Sequence, residues 1–455
     1  MTRILSTIFL ALISTSTFSQ DISGDWMGEI DLNGNQLEIA FTLTYQQDVL
    51  SATMDIPKQG LNNAKAESAS YVDSILTISF PEFQLEYKGH LKAKNEFEGN
   101  ISQGGKPLAM NLKKGVIELN RPQTPKEPFG YYSEEVSFNN SKDKIKLFGT
   151  LTLPKKDGKF PVAVIISGSG PQNRDGEMFG HKPYQVLADH LTKNGIGVLR
   201  YDERGVGQSE GDFDTASIEE FSIDVQSAVA FLKTRKDVDP SKIGLIGHSL
   251  GGIIAPKVAS ENKEIDFIVL LAGPGIDGDK LMLLQKAAFE RLMGVNEMQI
   301  AAGQGIVKEA YDIIRNSDLD NATLKDSLNS FYINKYGAMI PENQRNALVG
   351  QITNYEVASL IKSTPSEYLE KVKCPVLALN GGKDFQVPAK ENLAAIKTSL
   401  EKNGNKNIEI VELENLNHLF QESKTGSISE YSEIEQTFSP VALDLIARWI
   451  KEQTK

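Results

Sequence analysis

The sequence predicts a two-part chain, a small all-β domain followed by an α/β domain on a mostly parallel sheet. Three observations carry this. Residues from about 21 to 117 form short runs with partial alternation in twos, separated by turn residues, with no amphipathic helix of useful length. From about residue 131 continuous apolar runs ending in glycine alternate with helical patterns, as strands buried on both faces require. Between the two regions lies "ELNRPQTPKEPFGYY", where Pro122, Pro125 and Pro128 make a stiff extended connection.

Taken in order, the elements begin with "MTRILSTIFLALISTSTFSQD". Arg3 gives a short basic start, Ile4 to Ile13 an apolar run, and small polar residues lead to Ser19. This is the layout of a secretory signal peptide over residues 1–19, so the chain is expected to be exported, periplasmic or secreted. The apolar run is shorter than the roughly 20 residues a bilayer takes. No Cys follows it to carry a lipid, and no later stretch is long and apolar enough for a transmembrane segment. The domain over 20–117 contains "QLEIAFTLTY", "LSATMDIP", "DSILTISF", "FQLEYKGHLKA" and "EFEGNISQ", which suit a barrel or a sandwich. Residues 118–130 are the linker and 131–455 the α/β domain.

Within that second domain, "EEVSF" and "IKLFGTLTLP" read as an antiparallel opening and "FPVAVIISGSG" as the first buried strand. "KPYQVLADHLTKNG" is a helix and "GIGVLRYDERG" the next strand. "SIEEFSIDVQSAVAFLKTRK" is a helix with Ser217 and Glu220 as a capping box and Ile218, Phe221, Val225, Ala228, Val229 and Leu232 on one face. "KIGLIGHS" is a strand, "GGIIAPKVASEN" a helix and "DFIVLLAGPG" a strand. The alternation then stops. Residues of about 277–372 show only helical patterns, an insertion at the C-terminal edge of the sheet, before "CPVLALNG" resumes it. A helix, the strand "IEIVELE" and the helix "SPVALDLIARWIKEQ" close the chain.

The 455 residues carry 40% hydrophobic and 24% charged residues, enough for sizeable cores. A formal net charge of -12 argues against a nucleic-acid partner, which needs clustered Lys and Arg. The single cysteine, Cys374, excludes a disulfide within the chain and reads as a packing residue at the start of a strand. The five histidines are scattered without metal-ligand spacing, so neither a metal nor a cofactor is expected.

The chemistry centres on "KIGLIGHSLGG". A serine hydroxyl needs a base before it attacks. Ser249 stands just past a buried strand, where functional groups of an open parallel sheet gather. Gly247 and Gly251 allow a sharp strand-to-helix turn that exposes the hydroxyl, and the Leu250 N–H at the helix start can face an oxyanion. For the base, His90 lies in the β domain, His181 and His190 precede the serine, and the turn should point His248 elsewhere. His418, just past "IEIVELE", has the required place. Of the acids between Ser249 and His418, only Asp384, after "PVLALNGGK", ends a buried strand; its task would be to orient His418. A second oxyanion donor is expected from "IISGSGPQNRD", with Ser169 N–H the choice and adjacent residues open. Arg174 and Asp175 are expected to pair at the rim. "YDERGVGQSEG" fails as a phosphate loop, since no GK[ST] follows, and reads as a structural turn.

The order Ser249, Asp384, His418, with "GHSLGG", "DERGVGQS" and "NGGKDFQVP", resembles the α/β-hydrolase superfamily. "ISGSGPQNRDG", "CPVLALNGGKD", "LNHLFQ" and "SPVALDLIARWI" narrow the resemblance to bacterial esterases of the EstD/Est10 type, with a serine aminopeptidase S33-like hydrolase domain. The motifs cover about 131–455. The resemblance implies a Ser-Asp-His triad on Ser249, Asp384 and His418 and hydrolysis of short-chain carboxylic esters, with a small-molecule ester as partner. One departure is Ser167-Gly168, where the superfamily often has His-Gly in the oxyanion loop. Two other readings stay open. A peptidase on the same triad would need acidic partners in the insertion for a free N-terminus. A binding protein on a dead hydrolase scaffold would use the β domain to grip a glycan or polymer.

Overall fold

A computed structural model describes residues 21–455 apart from 33, 48 and 118; the signal-peptide stretch over 1–19 lies outside the described residues. The chain divides into two compact units, the break falling between Leu119 and Asn120.

The first unit is an antiparallel sheet. Its strands are β1 (Gly24–Leu32), β2 (Asn35–Gln46), β3 (Val49–Ile56), β4 (Leu61–Lys65), β5 (Ser68–Val72), β6 (Ile75–Phe80), β7 (Leu85–Ala93), β8 (Glu96–Gln103), β9 (Lys106–Ala109) and β10 (Leu112–Lys114). The order is β4-β3-β2-β1-β10-β8-β7-β6-β5, with β9 on β8. Its outer strands β4 and β5 are consecutive in the chain. Between them Ala66 N donates to Ala52 O on β3 at 2.9 Å and Glu67 N to Ser79 O on β6 at 3.0 Å. The sheet therefore curls onto itself as a barrel. Alternation sends Trp26, Phe41, Tyr87 and Phe97 inside, where Trp26 and Phe97 meet edge-on at 4.7 Å. Aromatic side chains thus fill the interior, as small barrels require.

The second unit holds β11 (Tyr132–Asn140), β12 (Ile145–Leu153), β13 (Phe160–Ile166), β14 (Gly197–Tyr201), β15 (Val238–His248), β16 (Phe267–Leu271), β17 (Val376–Gly381) and β18 (Ile408–Leu413) in the order β11-β12-β14-β13-β15-β16-β17-β18. The opening β11–β12 pair and the β12–β14 contact are antiparallel, and the remaining pairings parallel. Helices α1 (Pro183–Lys193), α2 (Ile218–Thr234) and α3 (Gly251–Glu261) follow the early strands. The predicted capping box of α2 forms, with Ser217 accepting from Glu219 N and Glu220 reaching back to Ser217 N at 3.0 Å.

Between β16 and β17 run α4 (Gly278–Leu292), α5 (Glu297–Arg315), α6 (Asn321–Tyr336), α7 (Glu342–Ile352), α8 (Tyr355–Lys362) and α9 (Pro365–Leu369). This insertion has a core of its own, built on Tyr311, Ile314, Leu328 and Tyr332. Helices α10 (Ala389–Lys402) and α11 (Pro440–Gln453) complete the unit. The sheet is buried on both faces. Val225, Ile254 and Ile396, from α2, α3 and α10, belong to the core of one face; Leu187 and Ile446, from α1 and α11, to that of the other. Strands sandwiched in this way read as unbroken apolar runs.

The proline-rich stretch is part of the second unit from Asn120 on. Arg121 Nη2 donates to Phe179 O and Ser432 O, both at 2.9 Å, and Gln123 bonds Phe438 O at 2.7 Å. Side chains flanking Pro122, in a stretch that composition alone reads as spacer, fasten it there.

Candidate active site

Every sequence-chosen residue of the second unit comes to the C-terminal edge of the sheet. Ser249 follows β15 directly and has φ 53, left-handed backbone that a non-glycine residue seldom adopts. Its N–H donates to Leu271 O at 2.9 Å, so the strained residue is pinned to the neighbouring strand. The turn needs bare backbone on both sides. A Cβ on Gly247 would lie 2.0 Å from Gly251 O, and one on Gly252 2.4 Å from the Gly273 Cα. Leu250 caps α3 without any side-chain cap bond; Gly252 N and Ile253 N bond the Ser249 and Leu250 carbonyls, both at 2.8 Å, and Leu250 N has no acceptor among the described residues.

His418 and Asp384 meet as a buried pair, Nδ1 to Oδ2 at 2.7 Å, with exposures of 5% each. The other Asp384 oxygen accepts Gln386 N at 2.8 Å and Val387 N at 2.9 Å. All the accepting capacity of that oxygen is engaged, so the carboxylate cannot rotate away from His418. The loop after β18 that carries His418 is organised by Asn417, whose Oδ1 accepts from Leu419 N at 3.0 Å and Gln421 N at 2.9 Å. Ser249 is joined to this pair through its neighbour: His248 Nε2 contacts His418 O at 3.0 Å. Among the described residues no hydrogen bond links the Ser249 hydroxyl to His418, a looser setting common in unliganded sites.

Among the described residues no hydrogen bond joins the His248 ring to the Ser249 hydroxyl, yet His248 is no bystander. Its ring lies 4.9 Å from that of His418. Burial, with the His418 ring alongside, pushes its pKa down to about 3. The ring is therefore neutral, and because a carbonyl only accepts, Nε2 carries the proton. Nδ1 is then an acceptor. It faces the Tyr184 hydroxyl at 3.2 Å, which also lies 3.1 Å from Gln172 Oε1 and accepts from Gly168 N at 3.2 Å. Tyr184 thereby ties the His248 ring to the loop after β13. Gly168 in that loop stands close to the serine, since a Cβ there would be 3.1 Å from the Ser249 Cβ.

Three amides of this loop are engaged. Gly168 N donates to Tyr184, Gly170 N to Glu356 Oε1 at 2.9 Å, and Gln172 N to Glu203 Oε2 at 2.8 Å. The Ser169 N–H has no acceptor among the described residues. Glu203 and Glu356 are buried carboxylates that sequence reasoning missed, with exposures of 8% and 7%. Burial raises both, and the neighbouring Glu356 and Asp224 carboxylates add to it at Glu203, whose carboxyl is held well above the usual range. Glu203 had a faint signal, a charge at the mouth of an apolar strand. Glu356 had none, because an acid in the first turn of a helix reads as a solvated partner of the helix dipole.

The predicted Arg174–Asp175 pair does not form. Arg174 Nη2 bonds Asp202 Oδ2 at 2.8 Å and reaches Glu135, while Asp175 pairs with Arg200. The two residues sit in a turn closed by Gly176 N donating to Asn173 O at 2.9 Å, and from it each side chain reaches a different partner. Asp202 and Arg204 are structural: Arg204 Nε bonds Asp224 Oδ2 at 2.7 Å, fixing the turn after β14 onto α2. Cys374 packs against the core, and burial pushes its thiol up to about 12. Among the described residues no group of three or more His, Cys, Asp or Glu side chains is set to hold a metal, and no helix is long and apolar enough to cross a membrane.

The family model described as serine aminopeptidase, S33, matches residues 181–423. The esterase EstD of Thermotoga maritima is 28% identical over 327 residues, covering 71% of this chain and 68% of the relative. A monoglyceride lipase homolog of Monkeypox virus is 25% identical, over 44% of this chain and 74% of its own. Among solved structures, the Pyrococcus furiosus esterase Pf2001 has 18% identity and a TM-score of 0.42, over 71% of this chain and 93% of that one.

Proposed function

The chain belongs to the serine aminopeptidase S33 family of α/β-hydrolases, and within it we propose that it is a serine esterase that cleaves short-chain carboxylic esters through an acyl-enzyme. The observation that carries this reading is the buried His418–Asp384 pair at 2.7 Å together with a serine held in a left-handed turn at the end of β15, on the same edge of the sheet. Ser249 attacks the ester carbonyl as His418 takes its proton on Nε2. Asp384 keeps the proton of His418 on Nδ1 and stabilises the imidazolium. Leu250 N–H and Ser169 N–H face the oxyanion of the tetrahedral intermediate. His418 then protonates the leaving alcohol and activates the water that releases the acid. The helical insertion roofs the pocket and limits the acyl chain.

The test is a panel of p-nitrophenyl esters of increasing chain length beside aminoacyl anilides, with Ser249→Ala as control. Short esters should be preferred, and wild-type turnover by Ser249→Ala would overturn the mechanism. An aminopeptidase reading is favoured by one observation, the acids Glu203 and Glu356 near the loop, which could hold a free amine; turnover of anilides but not esters would select it. Export, supported by the order of basic, apolar and small residues over 1–19, is tested by N-terminal sequencing of the mature protein from a periplasmic fraction.

A further inference from the structure

We propose that Glu356, on the insertion helix α8, is a positioning residue that sets the aim of the Ser169 N–H by holding the next amide of the loop. The proposal rests on the esterase reading above and adds a residue to it. The loop from Ser167 to Gln172 leaves β13 with no regular structure of its own, so its amides point wherever their acceptors stand. Three acceptors stand around it. Tyr184 Oη takes Gly168 N at 3.2 Å, Glu356 Oε1 takes Gly170 N at 2.9 Å and Glu203 Oε2 takes Gln172 N at 2.8 Å. Ser169 N–H lies between the first two held amides and has no acceptor among the described residues. A peptide plane whose two neighbours are both fixed has little freedom to swing.

Two of these acceptors belong to the sheet domain proper: Tyr184 to α1 and Glu203 to the turn after β14. Glu356 alone comes from the insertion. Its helix is itself fastened to the body, because Ser359 Oγ accepts Ile218 N of α2 at 3.2 Å. At the start of α8, Asn354 accepts Glu356 N at 3.0 Å, which fixes the backbone that carries the carboxylate. The Ser169 hydroxyl leans on the same carboxylate, favouring its charged form. The insertion therefore contributes more than a roof: one acceptor on it completes the support of an oxyanion donor, and a displaced α8 would release that donor. Support of this kind outside the reacting groups is what keeps a preorganised site within tolerance.

The test is steady-state ester hydrolysis by Glu356→Gln, Glu356→Asp and Glu356→Ala, with active sites counted by exhaustive fluorophosphonate labelling so that kcat refers to labelled enzyme only. Glutamine retains an oxygen at the same reach and should keep kcat within about threefold of wild type. Aspartate retains charge but is one methylene short, and alanine retains neither; both should lower kcat by about 10- to 100-fold, the range for a lost hydrogen bond to a charged group, with KM changed less than about twofold. A purely structural role would lower the labelled fraction and leave kcat per labelled site unchanged, which would overturn the proposal. So would an aspartate variant with wild-type kcat, or a glutamine variant as impaired as alanine. The aspartate arm keeps the result decisive if alanine does not fold. Failure of the esterase reading is distinguishable, since it shows as no ester turnover and no labelling of Ser249 in the unmodified chain.

Discussion

Replacing Asp384 by Asn separates geometry from charge. One Asp384 oxygen accepts the backbone N–H groups of Gln386 and Val387 at 2.8 and 2.9 Å, and the other faces His418 Nδ1 at 2.7 Å. An asparagine must keep its carbonyl on the two backbone donors, which leaves its NH2 against His418 Nδ1. That nitrogen then has to accept, the ring proton moves to Nε2, and the nitrogen meant to take the Ser249 proton is blocked. Loss of the charged partner accounts for about 1.5–3 kcal/mol. The wrong tautomer adds to this, for a fall in kcat of about 10³- to 10⁴-fold, or roughly 4–5.5 kcal/mol at 1.36 per factor of ten. KM should hardly change. Stability should hardly change either, because both backbone bonds survive. Asp384→Ala orphans the buried N–H of Val387 and the part-buried N–H of Gln386 and should lose about 1–3 kcal/mol for the first and less for the second. The assay pairs p-nitrophenyl ester kinetics with urea unfolding. A variant Asp384→Asn retaining more than a tenth of wild-type kcat refutes the orientation argument, and equal unfolding midpoints for the Asn and Ala variants refute the assignment of the two oxygens.

The other predictions concern strain, packing and pH. Ser249 adopts φ 53, so Ser249→Gly should be more stable than Ser249→Ala by about 1–2 kcal/mol while both lack esterase activity; equal melting temperatures would mean that the turn is unstrained. Gly252→Ala would bring a Cβ to 2.4 Å from the Gly273 Cα, backbone that cannot yield cheaply, and should cost about 1–3 kcal/mol or more with loss of turnover, measured by unfolding and ester kinetics. Burial holds His181 down at about 4 and His248 at about 3, against 6.5 when unfolded. Below pH 6.5 the unfolded chain therefore binds protons that the folded chain refuses, and stability falls as the pH drops towards those values. By pH 5 each ring should remove about 2 kcal/mol relative to pH 8. His181→Gln should erase its share of this slope, and an unchanged slope would refute the assignment.

Much of this was legible because it is local or periodic. β15, Ser249 and α3 occupy one continuous stretch, so apolar run, turn and helix can be read in order. Asp384 and His418 could be chosen because each directly follows a buried strand, and parallel strands deliver their C-terminal ends to one edge. What stayed hidden depends on which way side chains leave irregular backbone. Arg174 and Asp175 are neighbours in sequence but go to Asp202 and Arg200, partners 28 and 25 residues away. Glu356 is 186 residues from the amide that it holds, and nothing in "NYEVASLIK" separates it from an ordinary first-turn acid. The turn around Ser249 gives His248 no evident role in the sequence, yet its ring reaches the His418 carbonyl, a contact across 170 residues that no spacing encodes.

Beside Lys144 and Phe179 elsewhere in the second unit, backbone strain gathers at this edge of the sheet. Ser249, Ala272 and Phe420 have φ of 53, 50 and 60, each a non-glycine residue in left-handed conformation. Ser249 follows β15, Ala272 follows β16, and Phe420 lies two residues past His418. Each is over-determined by a backbone bond: Ser249 N to Leu271 O at 2.9 Å, Ala272 N to Leu379 O at 2.9 Å, and Phe420 N to Asn417 O at 3.0 Å. Residues of this kind cost of order 1–3 kcal/mol each and persist only where the surroundings hold them. The surroundings here are the two apolar layers that bury the sheet. They can carry the cost because residues such as Val162, Leu245, Ile268 and Leu377 are fully buried. Strain at one edge and close packing behind it are thus two parts of one arrangement, since a less buried sheet would let the turns relax and carry Ser249 away from His418.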